Sequence, residues 1–130
     1  MDKFILSDLE WKERLTPEQY RVMRGHGTEA AFCSRLNDEP RVGIYECAAC
    51  GLPLFSSADK FESKSGWPSF TQPVSAEAVE TDVDRKFGMV RTEVHCARCE
   101  GHLGHVFEDG PRPTGLRYCM NGAAMAFKPA

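Results

Sequence analysis

Six cysteines stand in this chain of 130 residues, and their spacing divides them into two kinds. Cys47 and Cys50, in "ECAACG", and Cys96 and Cys99, in "HCARCEG", form two CxxC pairs. That spacing lets two thiolates from one tight turn reach the same ion. Two such turns supply a tetrahedral four-cysteine set for zinc, with Zn–S bonds of about 2.3 Å. A pair of redox dithiols, or four buried thiols without metal, would use the same residues. Four thiolates saturate the ion and leave no position for water or substrate, so one structural Zn2+ per chain would support folding and perform no chemistry.

Cys33 and Cys119 are left over. Cys119, in "LRYCMN", sits between Arg117 and Asn121; "GHLGHVF" contributes His102 and His105, and "SGWPSF" contributes Trp67. A free thiol with a pKa of about 8.5 is only a few per cent ionised at neutral pH, and a neighbouring guanidinium favours its thiolate. Imidazoles titrate near working pH and can supply a proton to a leaving atom. Together these are the parts of a thiolate-based active site. Each residue also has an ordinary structural role, Cys119 as a small buried thiol and Trp67 as core. A spacing of three would place His102 and His105 on opposite faces of a regular strand, but Gly101 and Gly104 allow a bend there.

The elements that must position these side chains are short. Ser7 with Glu10, and Thr16 with Gln19, have the form of capping boxes, and Pro17 stands at the first position of a second helix that Gly25 and Gly27 end. From Val42 onward, "VGIYE", "AVETDV", "GMVRTEVHC", "HLGHVF" and "AMAFK" read as β-strands separated by Gly and Pro. The expected fold is mainly β, two packed antiparallel sheets with short N-terminal helices, as a single domain over residues 1–130. "EDGPRPTG" reads as one exposed loop delivering the chain to Cys119. Sixteen basic against nineteen acidic residues, without a basic run, argue against a nucleic-acid surface. Nothing resembles a signal peptide or a membrane span, so no membrane partner is expected and the expected compartment is the cytoplasm, where thiols stay reduced.

"GWPSF", "GHLGHVF", "DGPRPTGLRYCMN" and the twin CxxC units, in this order, closely resemble the methionine sulfoxide reductase B family. "LTPEQYRVMRGHGTE" is similar to that family's N-terminal segment, and the resemblance runs from about Trp11 to Phe127. It implies an enzyme that reduces methionine R-sulfoxide in proteins; a monomer is the expected state, which the sequence does not itself fix. The resemblance further implies Cys119 as nucleophile, surrounded by His102, His105, Asn121 and Arg117. Trp67, backed by Phe70 or Phe107, would be the apolar wall for the substrate methyl group. Many family members carry a resolving cysteine directly before "GWPSF", where this chain has Ser65. Cys33 is then the unassigned cysteine for that role, with thioredoxin reducing the Cys33–Cys119 disulfide; direct reduction of Cys119 by thioredoxin or a small thiol is the other route. A non-enzymatic zinc-clamped module with an aromatic pocket stands as the alternative to an enzyme.

Overall fold

The structure, a computed structural model, describes residues 1–130 apart from the side chain of Phe87. Helices α1 (Asp8–Arg14) and α2 (Pro17–Met23) begin at Ser7 and Thr16, and both capping boxes are formed. Two turns each are too short to be stable alone. Burial of Trp11, Leu15, Val22 and Met23 holds them to the β-structure, α2 lying against the strand that carries both histidines.

Nine strands follow: β1 (Gly43–Cys47), β2 (Pro53–Ser56), β3 (Lys60–Phe61), β4 (Ser69–Phe70), β5 (Val79–Asp84), β6 (Arg91–Cys96), β7 (His102–Phe107), β8 (Arg117–Met120) and β9 (Met125–Pro129). They make a three-stranded sheet, β2-β1-β9, and a six-stranded sheet, β3-β4-β8-β7-β6-β5. Every pairing is antiparallel. Tyr45, Leu54 and Phe55 of the small sheet meet Phe70, Val94, Leu103 and Met120 of the large one in the core. Phe55 stacks on Phe70 at 4.5 Å between ring centroids, and Tyr45 meets the same ring edge-on at 5.0 Å. Two antiparallel sheets with short N-terminal helices is the architecture that the sequence predicts.

The details differ where strands are short. β2, β3, β4 and β8 have two to four residues, too few to display an alternating pattern. The loop from Glu108 to Gly115 is largely exposed, as expected, but it leads into β8, so Cys119 is held in a strand paired on both sides. Among the described residues no helix is long and apolar enough to cross a membrane.

Candidate active site

Antiparallel partners project from the same face of a sheet, and in this sheet one row of partners runs straight across four strands. Glu93 on β6 pairs with His105 on β7, His105 with Cys119 on β8, and Cys119 with Ser69 on β4. Side chains directly opposite lie about 4.5–5.5 Å apart at Cβ, so the register brings imidazole and thiol together. Period-two alternation adds Phe107 and Arg117, two residues from His105 and Cys119, to the same face. It also sends Phe70, one residue from Ser69, to the opposite face. Phe70 is wholly buried between Tyr45 and Phe55 and is core, which corrects its assignment to the substrate wall.

The odd spacing of the two histidines is resolved by a bulge. β6 pairs Val94 with Gly104 and then His95 with His102, so Leu103 is an extra residue in β7. Leu103 enters the core, and both imidazoles share the outer face, their rings 5.4 Å apart and T-shaped. Gly104 is required for β7 to approach β8: a Cβ there would stand 2.1 Å from the Cys119 carbonyl oxygen.

Cys119 lies half-buried at the floor of a cleft of about 350 Å³, whose lining includes Ser65, Trp67, His105, Phe107, Arg117 and Asn121. Ser65 Oγ is 3.8 Å from its sulfur, and Ser63 Oγ links Ser65 and Ser69 at 2.7 Å each. Burial pushes the Cys119 thiol up from its ordinary pKa, while Ser65, Arg117 and Ser69 pull the other way. The sequence predicts a cation that eases ionisation. The guanidinium has that effect, but desolvation is the larger influence.

Arg117 is itself fixed, donating through Nε and Nη2 to the two carboxylate oxygens of Asp109 at 2.9 and 3.2 Å, with its guanidinium 4.4 Å from the Phe107 ring centroid. His105 Nε2 lies 3.0 Å from Asp84 Oδ2, which also accepts from Arg91. The hydrogen bond with His105 is the main reason that Asp84 falls to about 2. Against an ionised carboxylate Nε2 carries the proton, which directs His105 one way round. His102 stands behind His105 and is buried, its pKa lowered chiefly by desolvation against the pull of Glu93. Its Nδ1 is 3.1 Å from Glu93 Oε1 without the alignment of a hydrogen bond, and Nε2 has no partner among the described residues. Of the two imidazoles, His105 lines the cleft.

Asn121 is expected to orient a histidine or the thiol, and its amide bonds elsewhere. Oδ1 accepts from the Glu29 N–H at 2.9 Å, and Nδ2 donates to the Leu103 carbonyl at 3.0 Å. It therefore ties the loop after α2 to the bulge under the histidines. The Glu29 carbonyl accepts from Trp67 Nε1 at 2.9 Å, which sets the indole at the cleft wall. The Glu29 carboxylate, 4% exposed, accepts from the N–H groups of Gly122 and Ala123 at 2.9 and 2.8 Å. Sequence reasoning missed Glu29, Asp84, Arg91 and Glu93. Nothing in their local patterns separates them from solvated charges.

Cys33 is exposed. The residues on either side of it are anchored beside the cleft: Phe32 N–H donates to the Gly66 carbonyl at 2.7 Å, and Ser34 packs on Gly122 so closely that a Cβ there would meet its Oγ at 1.8 Å. A wider groove of about 740 Å³ runs along residues 39–44 and 128–130, and its lining has no cysteine or histidine. Chemistry, not size, picks the smaller cleft.

The four paired cysteines meet elsewhere. Cys47 ends β1 of the small sheet and Cys96 ends β6 of the large one, each followed by a turn that brings back its partner. All four sulfurs lie within 4.8 Å of one another, with Cys47–Cys99 at 3.7 Å and Cys50–Cys96 at 3.6 Å. Sulfurs bound tetrahedrally at about 2.3 Å would be separated by roughly 3.8 Å, so the cluster is the right size for a metal ion such as zinc.

A family profile described as the SelR domain matches residues 15–129 of the chain. Curated relatives match over nearly the whole length. The peptide methionine sulfoxide reductase MsrB of Leptospira interrogans is 58% identical over 122 residues, covering 94% of this chain and 93% of its own. Its namesake from Thiobacillus denitrificans is 55% identical over 123 residues, covering 95% and 93%. The protein of the same name from Hahella chejuensis is 51% identical over 130 residues, covering 100% and 94%.

Proposed function

The chain belongs to the SelR-domain family of peptide methionine sulfoxide reductases, and from that premise we propose that Cys119 reduces methionine R-sulfoxide in proteins, with its oxidised form resolved through Cys33. The protein is a thiol-dependent oxidoreductase. The observation that carries the residue assignment is the direct pairing of His105 with Cys119 across β7 and β8, at the floor of a cleft with an indole on its wall.

In this reading the substrate methyl group rests on Trp67, with Phe107 nearby, and the sulfoxide oxygen faces His105. The Cys119 thiolate attacks the sulfoxide sulfur. The sulfur–oxygen bond breaks, the oxygen passes to Cys119 with one proton, and methionine leaves as the thioether, two electrons reduced. Cys119 is then a sulfenic acid. A bare oxide cannot depart, so the proton must be delivered at the moment of attack; His105, which lines the cleft, is the acid that faces the oxygen, and His102 supports it from behind, its ring 5.4 Å away. Asp84 orients His105, Arg117 favours the thiolate, and Asn121 holds the backbone beneath the histidines. Stereochemistry follows from donors on one side of the sulfur and an aromatic face on the other.

The Cys33 thiol next attacks the sulfenic sulfur, releasing water and forming a disulfide. Its exposure, between residues anchored at Gly66 and Gly122, supports this role. Thioredoxin would reduce that disulfide, returning both thiols. Cys47, Cys50, Cys96 and Cys99 would hold a structural Zn2+ that clamps the two sheets and takes no part in turnover. A single-domain monomer in the cytoplasm fits a reaction that depends on reduced thiols.

The test is stereospecific reduction of a methionine-sulfoxide peptide by wild type, Cys119→Ser and Cys33→Ser. Cys119→Ser should be inactive. Cys33→Ser should complete a first turnover and then cycle poorly with thioredoxin. Retained activity in the first variant would dismiss Cys119, and equal cycling in the second would dismiss Cys33.

A further inference from the structure

His26 has no part in the reaction above, yet it is held against it. After α2 the chain turns through Gly25, His26 and Gly27, with the two glycine N–H groups bonded back to the Tyr20 and Arg21 carbonyls. His26 adopts a φ of +54°, in the left-handed region that histidine tolerates better than most side chains. The turn delivers its Nδ1 to 3.1 Å from Glu93 Oε1 and its ring centroid to 5.4 Å from that of His102. His102 Nδ1 lies 3.1 Å from the same carboxylate oxygen. Three donor atoms, two imidazole nitrogens and one oxygen, lie within 4.8 Å of one another.

The decisive feature is His102. It is 2% exposed, and neither ring nitrogen makes a hydrogen bond among the described residues. Buried polar atoms are satisfied in the great majority of cases, so an imidazole left open in this way calls for a ligand. Glu93 Oε1 lies 3.1 Å from His102 Nδ1 but off the line of a hydrogen bond, and Nε2 has no partner among the described residues. Metal–nitrogen and metal–oxygen bonds of about 2.0–2.2 Å, at angles between tetrahedral and octahedral, separate their donors by roughly 2.9–3.5 Å. Both measured separations fall inside that range. His26, with half of its side chain exposed, leaves one side open to solvent for entry and for a bound water.

We propose that His26, Glu93 and His102 form a second metal site, distinct from the four-cysteine cluster, for a divalent transition ion of the imidazole-binding class such as Co2+, Ni2+ or Zn2+. Filling it takes the lone pair of His102 and fixes the ring 5.4 Å from His105, so the ion is an inhibitor of the reductase. The inhibition rests on the part given to His102 in the proposed reaction. The binding does not.

The experiment is a Co2+ titration of the reduced, zinc-loaded protein, followed by absorbance and by sulfoxide reduction in parallel. The protein is first brought to one zinc per chain, which four soft thiolates hold in preference to an imidazole and carboxylate set, so the four-cysteine cluster stays filled while the second site is free to take Co2+. A further equivalent of Co2+ is expected, with the visible bands of a nitrogen and oxygen site and no thiolate charge-transfer band. His26→Asn keeps a residue suited to the left-handed turn but cannot reach Glu93 in the same way. It should retain basal activity, weaken Co2+ binding at least tenfold and raise the inhibitory concentration by the same factor. No further equivalent, an equivalent that His26→Asn binds equally well, or a thiolate band would each overturn the site. Binding that leaves turnover untouched would overturn the inhibition, and with it the part given to His102, while leaving the site standing.

Discussion

Ser65 Oγ stands 3.8 Å from Cys119 Sγ, so Cys119 faces a hydroxyl where a second thiol would fit. A disulfide needs its sulfurs at about 2.05 Å, a closure that small adjustments of two side chains can supply. The Ser65→Cys variant should therefore form a disulfide between the introduced thiol and Cys119 when the enzyme turns over without reductant. In a Cys33→Ser background it should restore thioredoxin-driven cycling. Mass spectrometry of tryptic peptides and the steady-state rate check both points. Persistent sulfenic acid at Cys119 in the double variant would show that the two side chains cannot meet.

Burial raises the Cys119 thiol, with Arg117 among the groups that oppose it. Alkylation of Cys119 by iodoacetamide, followed by peptide mass, should therefore speed up with pH through a midpoint above that of a simple thiol. Removing the cation in Arg117→Ala should move the midpoint further upward and slow the reaction at neutral pH. A downward shift in the variant would mean that Arg117 does not favour the thiolate.

Asp84 is held at about 2, below an ordinary carboxylate near 3.8, chiefly by its bond to His105. Its preference for the folded state is thus fully present above the unfolded value and disappears as pH falls through the folded one. Asp84→Asn should be less stable than wild type at neutral pH, and the gap in urea midpoints should close between about pH 4 and pH 2. The same variant should slow reduction by loosening the orientation of His105. A gap independent of pH would mean that the carboxylate contributes packing alone.

The fold was legible wherever an element carried its own signal. Ser7–Glu10 and Thr16–Gln19 mark helix starts through local hydrogen bonds, and runs such as "RTEVHC" show period two over enough residues to be read. β4 and β8 could not be read in this way. Ser69 and Phe70 form a strand because β8 and β3 flank them, and Arg117–Met120 is set by its pairing with β4 and β7. The candidate site was legible in its unusual residue types, the lone cysteine, a histidine and a tryptophan that line one cleft. Its charged supports were not. Glu29 and Asp84 are buried by segments distant in sequence, and before folding they look like any surface acid.

Glu29 connects three parts of the cleft, through Trp67, Asn121 and the turn at Gly122 and Ala123. Its carboxylate receives two backbone N–H groups that are otherwise shielded from water. Glu29→Ala leaves those donors unsatisfied and should cost about 2–4 kcal/mol, since charge-assisted bonds contribute about 1.5–3 each and an unpaired buried donor about 1–3. Urea denaturation measures the loss, and activity should fall further than stability because the Trp67 indole loses its support. A loss below about 1 kcal/mol would place the carboxylate at the surface in solution.

The four-cysteine cluster joins β1 of the small sheet to β6 of the large one, so an ion held there would tie the two halves of the core together and its removal would release them. Without a cation the sulfurs cannot all ionise at this separation. Cys47 is pushed up, mainly by hydrogen bonding with Cys50, while Cys99 is pushed down, mainly by hydrogen bonding with Cys47. The free energy of a structural zinc, about 10–16 kcal/mol in finger peptides, is as large as the whole stability of a typical domain. Metal analysis should find one zinc per chain held by the cluster. Prolonged chelation should abolish the cooperative melting transition, and Cys99→Ser should express largely unfolded. Folding should return when zinc is restored to the chelated protein under reducing conditions, with Cys33→Ser/Cys119→Ser behaving in the same way. A chelated protein that melts like the wild type would show that the sheets need no clamp.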